Sequence, residues 1–284
     1  MKKLTIVGLG LIGGSIAKAL RPGAEWTISA IDADHATVCA ALSDGTADFA
    51  GSSGLTSLLD GAELVVLALS PSLCVRWLEE NGALIAPGTV VTDVCGVKRH
   101  MLDSLSQICA KYSLRYVPGH PMAGRERSGY ISSVPELFRG CSYILTPDGS
   151  TDPEALELVR SFALSLGAGS VNVTDALTHD KMIAFTSQLP PVLAGSYVKS
   201  PVSAFHKGYS AGSYRDVSRV APVDENLWKE LFLLNGDCLI GEIDMLITHL
   251  TEYKIAILTG ETEKIADVVR QGRLVKQKID APEE

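Results

Sequence analysis

The chain has 284 residues, 46% of them hydrophobic, and a formal net charge of −8 at pH 7. That length suggests about two domains with a sizeable core, and the acidic balance, without a basic run, argues against a nucleic-acid partner. No apolar run approaches the ~18 residues of a membrane span, and six cysteines without a C-x-x-C pair are expected as reduced thiols of a cytoplasmic protein.

Leu4–Val7 reads as a short buried strand, followed by Gly8-Leu9-Gly10-Leu11-Ile12-Gly13-Gly14-Ser15 and a helix running to Leu20. This is G-x-G-x-x-G between a strand and a helix. Gly8 serves the tight turn, Gly10 the approach of a pyrophosphate, and Gly13 close packing of helix on strand. The helix start at Leu11 and Ile12 offers free N–H groups and a partial positive charge to phosphates. A second strand, Trp26–Ile31, ends at Asp32, nineteen residues after Gly13. That is close to the spacing of about 20 for the acid that binds an adenosine ribose. The pattern predicts a dinucleotide cofactor, with NAD preferred over NADP because Asp32 would repel a 2′-phosphate.

Further strands are expected over Glu63–Ala68, Thr89–Asp93, Leu114–Pro118, Ser142–Thr146 and Ser170–Val173, with helices at Asp34–Ser43, Ser72–Asn81, Val97–Tyr112 and Pro153–Leu166. The continuous apolar run Leu64–Leu69 suits a parallel sheet buried on both faces. Ser70, after one such strand, and Asp93, at the end of another, fall at the cofactor edge of such a sheet. From Asp175 the period changes to long helices over Ala176–Val198, Glu225–Thr259 and Glu261–Lys278. The second of these is apolar over much of its circumference, so an all-helical domain packing on a twin is expected.

Two more clusters bear on chemistry. Gly119-His120-Pro121-Met122-Ala123-Gly124 follows a strand, and a histidine there can take a proton near neutral pH or simply cap a turn. Tyr214-Arg215-Asp216-Val217-Ser218-Arg219 sets two arginines four apart, suited to a carboxylate or to local ion pairs.

Together these blocks resemble one family, the prephenate/arogenate dehydrogenases of tyrosine biosynthesis. The likeness rests on the glycine loop, Asp93…Val97-Lys98, His120-Pro121-Met122-Ala123-Gly124, His179-Asp180-Lys181, Ser187-Gln188-Leu189-Pro190 and Tyr214-Arg215-Asp216-Val217-Ser218-Arg219-Val220-Ala221. It covers nearly the whole chain. It implies an α/β fold with a Rossmann NAD-binding domain over residues 1–173 and an all-helical dimerisation and substrate domain over 174–284. It also implies a homodimer, a small-molecule substrate and no metal. By likeness His120 is the catalytic base, Arg219 binds a substrate carboxylate, and Gln188 and Arg215 are further substrate-binding candidates. Glu126 and Asp180 resemble an ionic gate. The implied reaction is NAD-dependent oxidative decarboxylation of prephenate to 4-hydroxyphenylpyruvate.

The chain departs from the family pattern in two places. Gly96 stands where many relatives have serine, and Pro191 where many have a histidine associated with the substrate side chain. Pro190-Pro191 is expected to interrupt the helix begun near Ala176. Arogenate dehydrogenase, another two-domain Rossmann enzyme such as a 3-hydroxyacid dehydrogenase or an imine reductase, and a non-catalytic dinucleotide-binding regulator stay open as alternatives.

Overall fold

The computed structural model describes residues 1–23, 25–125 and 127–281. By contact the chain divides into two units, Met1–Asn235 and Gly236 onward. This division falls later than the change from strands to helices near residue 175.

In the first unit six strands form one sheet: β1 (Lys2–Val7), β2 (Trp26–Ile31), β3 (Phe49–Gly51), β4 (Leu64–Leu67), β5 (Val90–Asp93) and β6 (Arg115–Val117). Their order is β3-β2-β1-β4-β5-β6 and every pairing is parallel. All of β4 is buried, as a strand covered on both faces requires. The helices between these strands are α1 (Leu11–Leu20), α2 (His35–Ser43), α3 (Leu55–Leu59), α4 (Pro71–Asn81) and α5 (Arg99–Lys111). One core cluster joins Leu4, Ile16 and Ile28 to Phe162, and a second joins Val65, Leu78, Val91 and Leu105. Because β2 and β4 flank β1, the chain reverses its direction across the sheet at β1. The carboxyl ends of β1 and β4 therefore border the crevice where such sheets bind ligands. β3 and α3 are too short for a period to register in the sequence.

A second, three-stranded sheet holds β7 (Gly119–Pro121), β8 (Ser142–Leu145) and β9 (Ser170–Val173), with α6 (Pro153–Ser165) between the last two. β7 runs antiparallel to β8, and β8 parallel to β9. The sequence placed His120-Pro121 in a loop. It is instead an edge strand, where a proline removes no ladder bond that the sheet needs.

The rest of the first unit is helical. The helix expected over 176–198 is α7 (Ala176–Ile183), a π turn at Ala184–Gln188, and α8 (Leu189–Val198). Pro190 and Pro191 have no N–H to give the carbonyls one turn back, so the ladder changes register just before them. Then follow α9 (Gly212–Ser218) and α10 (Glu225–Leu234), whose Leu231 and Leu234 pack on the second core cluster. The single helix expected over Glu225–Thr259 is thereby corrected. It breaks at Asn235, a fully buried residue that caps α10.

The second unit is the helix pair α11 (Gly236–Thr259) and α12 (Thr262–Ile279), packed on each other. Leu239 and Ala256 are buried in α11, while Ile240, Ile247, Leu250, Ile257 and Leu258 are exposed.

Candidate active site

The glycine loop has the geometry its spacing implies. Gly8 adopts φ +94°, and a Cβ there would lie 2.6 Å from the Ala68 carbonyl oxygen at the end of β4. At Gly13 a Cβ would sit 1.9 Å from the Gly8 carbonyl oxygen, so side chains are excluded at both positions. A Cβ on Gly10 would meet nothing within 4 Å, leaving that approach open. Gly10 caps α1 without a side-chain hydrogen bond, so the first-turn N–H groups, including those of Leu11 and Ile12, remain available to an anion.

Asp32 organises this loop. Its Oδ2 accepts the Leu9 N–H at 2.6 Å and its Oδ1 the Asp34 N–H at 2.8 Å. Beside it lies a cleft of about 230 Å³, bordered by Gly8, Asp32, Leu69, Arg76 and Trp77. Ser70, next to Leu69 in the chain, caps α4. These residues fit the adenosine half of NAD: a carboxylate for ribose, an indole and a leucine for the base, and an uncapped helix end for the phosphates. Arg76 and Trp77 carry no motif in the sequence, because α4 reaches the cleft from beyond β4. Arg76 is itself paired with Glu80 at 2.9 Å.

Past β5 the chain builds a buried polar cluster. Lys98 and Asp93 are both fully buried, with Nζ 2.5 Å from Oδ2. Lys98 Nζ also donates to the Gly119 carbonyl oxygen at 2.5 Å. Asp93 accepts further from the Tyr116 hydroxyl at 2.6 Å and the Cys95 N–H at 2.9 Å. Burial, then the Asp93 charge, raises the Tyr116 phenol well above its ordinary value, so it stays a donor. Asp93 was expected to meet the cofactor. Here it is an interior anchor with its oxygens already engaged.

His120 follows Gly119, the residue that Lys98 holds, on β7. Its Nδ1 lies 2.9 Å from His179 Nε2, and His179 Nδ1 lies 2.8 Å from Asp180 Oδ1. A Cβ built on Gly96 would lie 3.7 Å from His120 Nε2, which marks the direction in which that nitrogen points. Burial first, then the neighbouring His179 and Lys98, push His120 well below the usual 6.5. Burial also lowers His179, against the opposing pull of Asp180. Both rings are therefore neutral at pH 7.

Asp180 was expected at a gate. The structure corrects this: the residue is fully buried, and its oxygens accept the N–H groups of Lys98 (2.8 Å) and Arg99 (3.0 Å) and the Arg99 Nε (3.2 Å). Burial works to raise its carboxyl, but these bonds and His179 outweigh it and hold it below the ordinary value. Its proposed companion Glu126 lies outside the described residues. Gln188, expected to touch substrate, is likewise buried. Its Nε2 donates to the Leu231 carbonyl oxygen at 3.2 Å, and its Oε1 accepts from Asn235 Nδ2 at 2.8 Å. Asn235 also donates to the Asp180 carbonyl oxygen at 2.8 Å and accepts from Arg99 Nη2 at 3.0 Å. Arg215 lies in α9 with its side chain 79% exposed, and Arg219 follows that helix, also exposed.

Residues 16–172 match the nucleotide-binding domain of prephenate dehydrogenase, and residues 175–271 match its dimerization domain. The chain belongs to the prephenate dehydrogenase family. It is 30% identical to a cyclohexadienyl dehydrogenase of Zymomonas mobilis, over 96% of this chain and 94% of that one. Among solved structures it resembles the A. aeolicus prephenate dehydrogenase in complex with hydroxyphenyl propionate and NAD+, with TM-score 0.88 and 27% identity over 99% of both chains. The Synechocystis arogenate dehydrogenase superposes with TM-score 0.82 at 26% identity, over 98% of this chain and 99% of that one. The match to a nucleotide-binding domain and the NAD+ held by the A. aeolicus enzyme are the two comparisons that bear on the cofactor. No helix among the described residues is long and apolar enough to cross a membrane.

Proposed function

We propose that this protein is an NAD-dependent prephenate dehydrogenase working as a homodimer in the cytoplasm, with His120 as its base. The observation that carries the assignment is the state of His120: a neutral ring on the β7 edge strand, one nitrogen engaged by His179 and the other pointing past Gly96. We assign the dinucleotide to residues 1–173 and dimerisation to 174–284, a reading supported by the matches over 16–172 and 175–271. Six free thiols suit a reducing compartment.

Prephenate carries a ring carboxylate, a hydroxyl on the carbon opposite and a keto side chain. His120 takes the proton of that hydroxyl as the carbon bearing it is oxidised. Bound NAD supplies the two-electron acceptor. The ring carboxylate leaves as carbon dioxide and the ring becomes aromatic, which makes the step effectively irreversible. The protein therefore has only to position the substrate, remove one proton and exclude water. Arg219 has the planar fork suited to a carboxylate of the substrate. Gln188 acts at one remove, through Leu231 and Asn235.

The test is to incubate the pure protein with NAD and either prephenate or arogenate, and to follow the absorbance of the reduced cofactor. Turnover of prephenate supports the proposal. Faster turnover of arogenate reassigns the substrate, and none with either leaves a dinucleotide-binding regulator.

A further inference from the structure

We infer that Asp180, acting through His179, selects which nitrogen of His120 receives the substrate's proton. The inference rests on His120 being the base of the proposed reaction. Asp180, His179 and His120 form a continuous chain with gaps of 2.8 and 2.9 Å, and each gap holds one proton.

The proton positions follow from the carboxylate end. Donors from Lys98, Arg99 and His179 meet Asp180 on both oxygens, so it is ionised. An ionised carboxylate must be met by an N–H, which puts the proton of neutral His179 on Nδ1. Its Nε2 can then only accept, so His120 carries its proton on Nδ1. That leaves a lone pair on His120 Nε2, the nitrogen facing Gly96. A free histidine side chain in water favours the opposite tautomer, so the basic nitrogen here is set by a carboxylate two hydrogen bonds away.

The same chain places the charge that forms. As the substrate O–H bond breaks, an N–H bond forms at His120 Nε2, and the shared proton moves from His120 Nδ1 to His179 Nε2. His120 ends neutral and His179 ends as the cation, beside the Asp180 carboxylate. The charged groups facing the pair favour this direction. Lys98 opposes a positive charge on either ring, while Asp180, by its hydrogen bond and its charge, and Asp93 favour one on His179. Arg99 is already committed to Asp180. His179 and Asp180 are thus positioning residues, and the proton returns along the same path to the phenolate oxygen that forms as carbon dioxide leaves.

Asp180→Asn tests this. Its amide nitrogen would donate to His179 Nδ1, reverse both tautomers and leave an N–H where the base should be. The expected result is a loss of kcat of about 10²–10⁴-fold. NAD affinity, read from the fluorescence of Trp77 beside the cleft, should be unchanged. Long-range proton–nitrogen NMR should show His120 protonated on Nδ1 in the unaltered protein and on Nε2 in the variant. His179→Gln, whose amide oxygen can still accept from His120, should retain more kcat than His179→Leu. A folded Asp180→Asn protein with undiminished kcat overturns the inference. Should that variant fail to fold, the unaltered protein decides: His120 protonated on Nε2 at pH 7 overturns the inference, and on Nδ1 supports it. Failure of the proposed function shows separately, as absent turnover of both substrates by the unaltered protein.

Discussion

Lys98 Nζ donates to the Gly119 carbonyl oxygen at 2.5 Å, and this one bond ties the residue before His120 to the end of β5. The same ammonium neutralises Asp93 where neither has access to water. Lys98→Met would strand a buried carboxylate, at a cost of about 3–5 kcal/mol. The double change Asp93→Asn with Lys98→Met should recover part of that loss. Thermal melts of the two proteins check this: a double variant less stable than the single would refute the pairing as the cause.

The cofactor loop leaves no latitude at Gly13. Gly13→Ala places a methyl group 1.9 Å from the Gly8 carbonyl oxygen, so the loop must open and NAD affinity should fall more than tenfold, on the order of 1.4 kcal/mol or above. Asp32→Ala is expected to raise the Michaelis constant for NAD and to narrow the preference over NADP, because Arg76 already borders the same cleft. Calorimetric titration with both cofactors measures each effect.

Acid should weaken both activity and stability. His120 is held below 6.5 in the folded protein, so kcat/KM should rise with pH through a group titrating below the ordinary histidine value. For stability, the unfolded chain binds more protons than the folded one between the lowered value and about 6.5, so stability is full above that window and declines as pH falls through it. His179 works in the same sense. Asp180, held below 3.8, adds a further loss as pH falls through its folded value. Melting temperatures recorded from about pH 8 down to pH 4 should fall continuously below 6.5; a flat curve would contradict the neutral pair. His120→Ala should flatten the activity profile and lower kcat about 10²–10⁴-fold, with little change in NAD binding.

Arg215 within α9 and Arg219 just after it should separate kinetically. Arg219→Ala is expected to raise the Michaelis constant for prephenate roughly 10–150-fold, the equivalent of a charge-assisted contact of ~1.5–3 kcal/mol. Arg215→Ala should do much less, since its exposed side chain lies near Asp216 at 3.7 Å. The reverse ranking would move the carboxylate site to Arg215.

The helix pair beyond Asn235 exposes Ile240, Ile247, Leu258, Val275 and Ile279, and the chain matches the family's dimerization domain over 175–271. Light scattering at micromolar concentration should give about twice the 30.2 kDa of one chain. A single-chain mass would count against the homodimer, and a dimer mass unaltered by Ile247→Asp would count against this helix face as its interface.

The parts of this protein legible in its sequence are those fixed by near neighbours. Gly8, Gly10 and Gly13 announce a loop whose constraints all lie within a strand, a turn and a helix, and Asp32 lies one unit further on. The apolar run at Leu64–Leu67 could be read as a two-sided strand for the same reason. His179 was visible only as part of a motif, because its partner His120 is 59 residues away, with two strands and a helix between them in the chain. Asp93, Asp180 and Gln188 looked like ligand-binding groups because their residue types are right. Burial, which assigns them to anchoring instead, depends on β7 and α10 closing over them. At Asn235 the signal was present and outweighed: Asn-Gly marks a turn, but the apolar residues on both sides suggested one uninterrupted helix.

That Asn-Gly pair also bears on how the protein ages. Asparagine before glycine is the sequence in which the following backbone nitrogen most readily attacks the side-chain amide, releasing ammonia and leaving a carboxylate. In the folded chain Asn235 is fully buried, with its amide nitrogen held between the Asp180 carbonyl oxygen and Gln188 Oε1, so the attack geometry is denied. Chains that linger unfolded have no such protection. The conversion would set a negative charge against two acceptors, so a molecule damaged before folding would be unable to close the cluster beneath its own histidines.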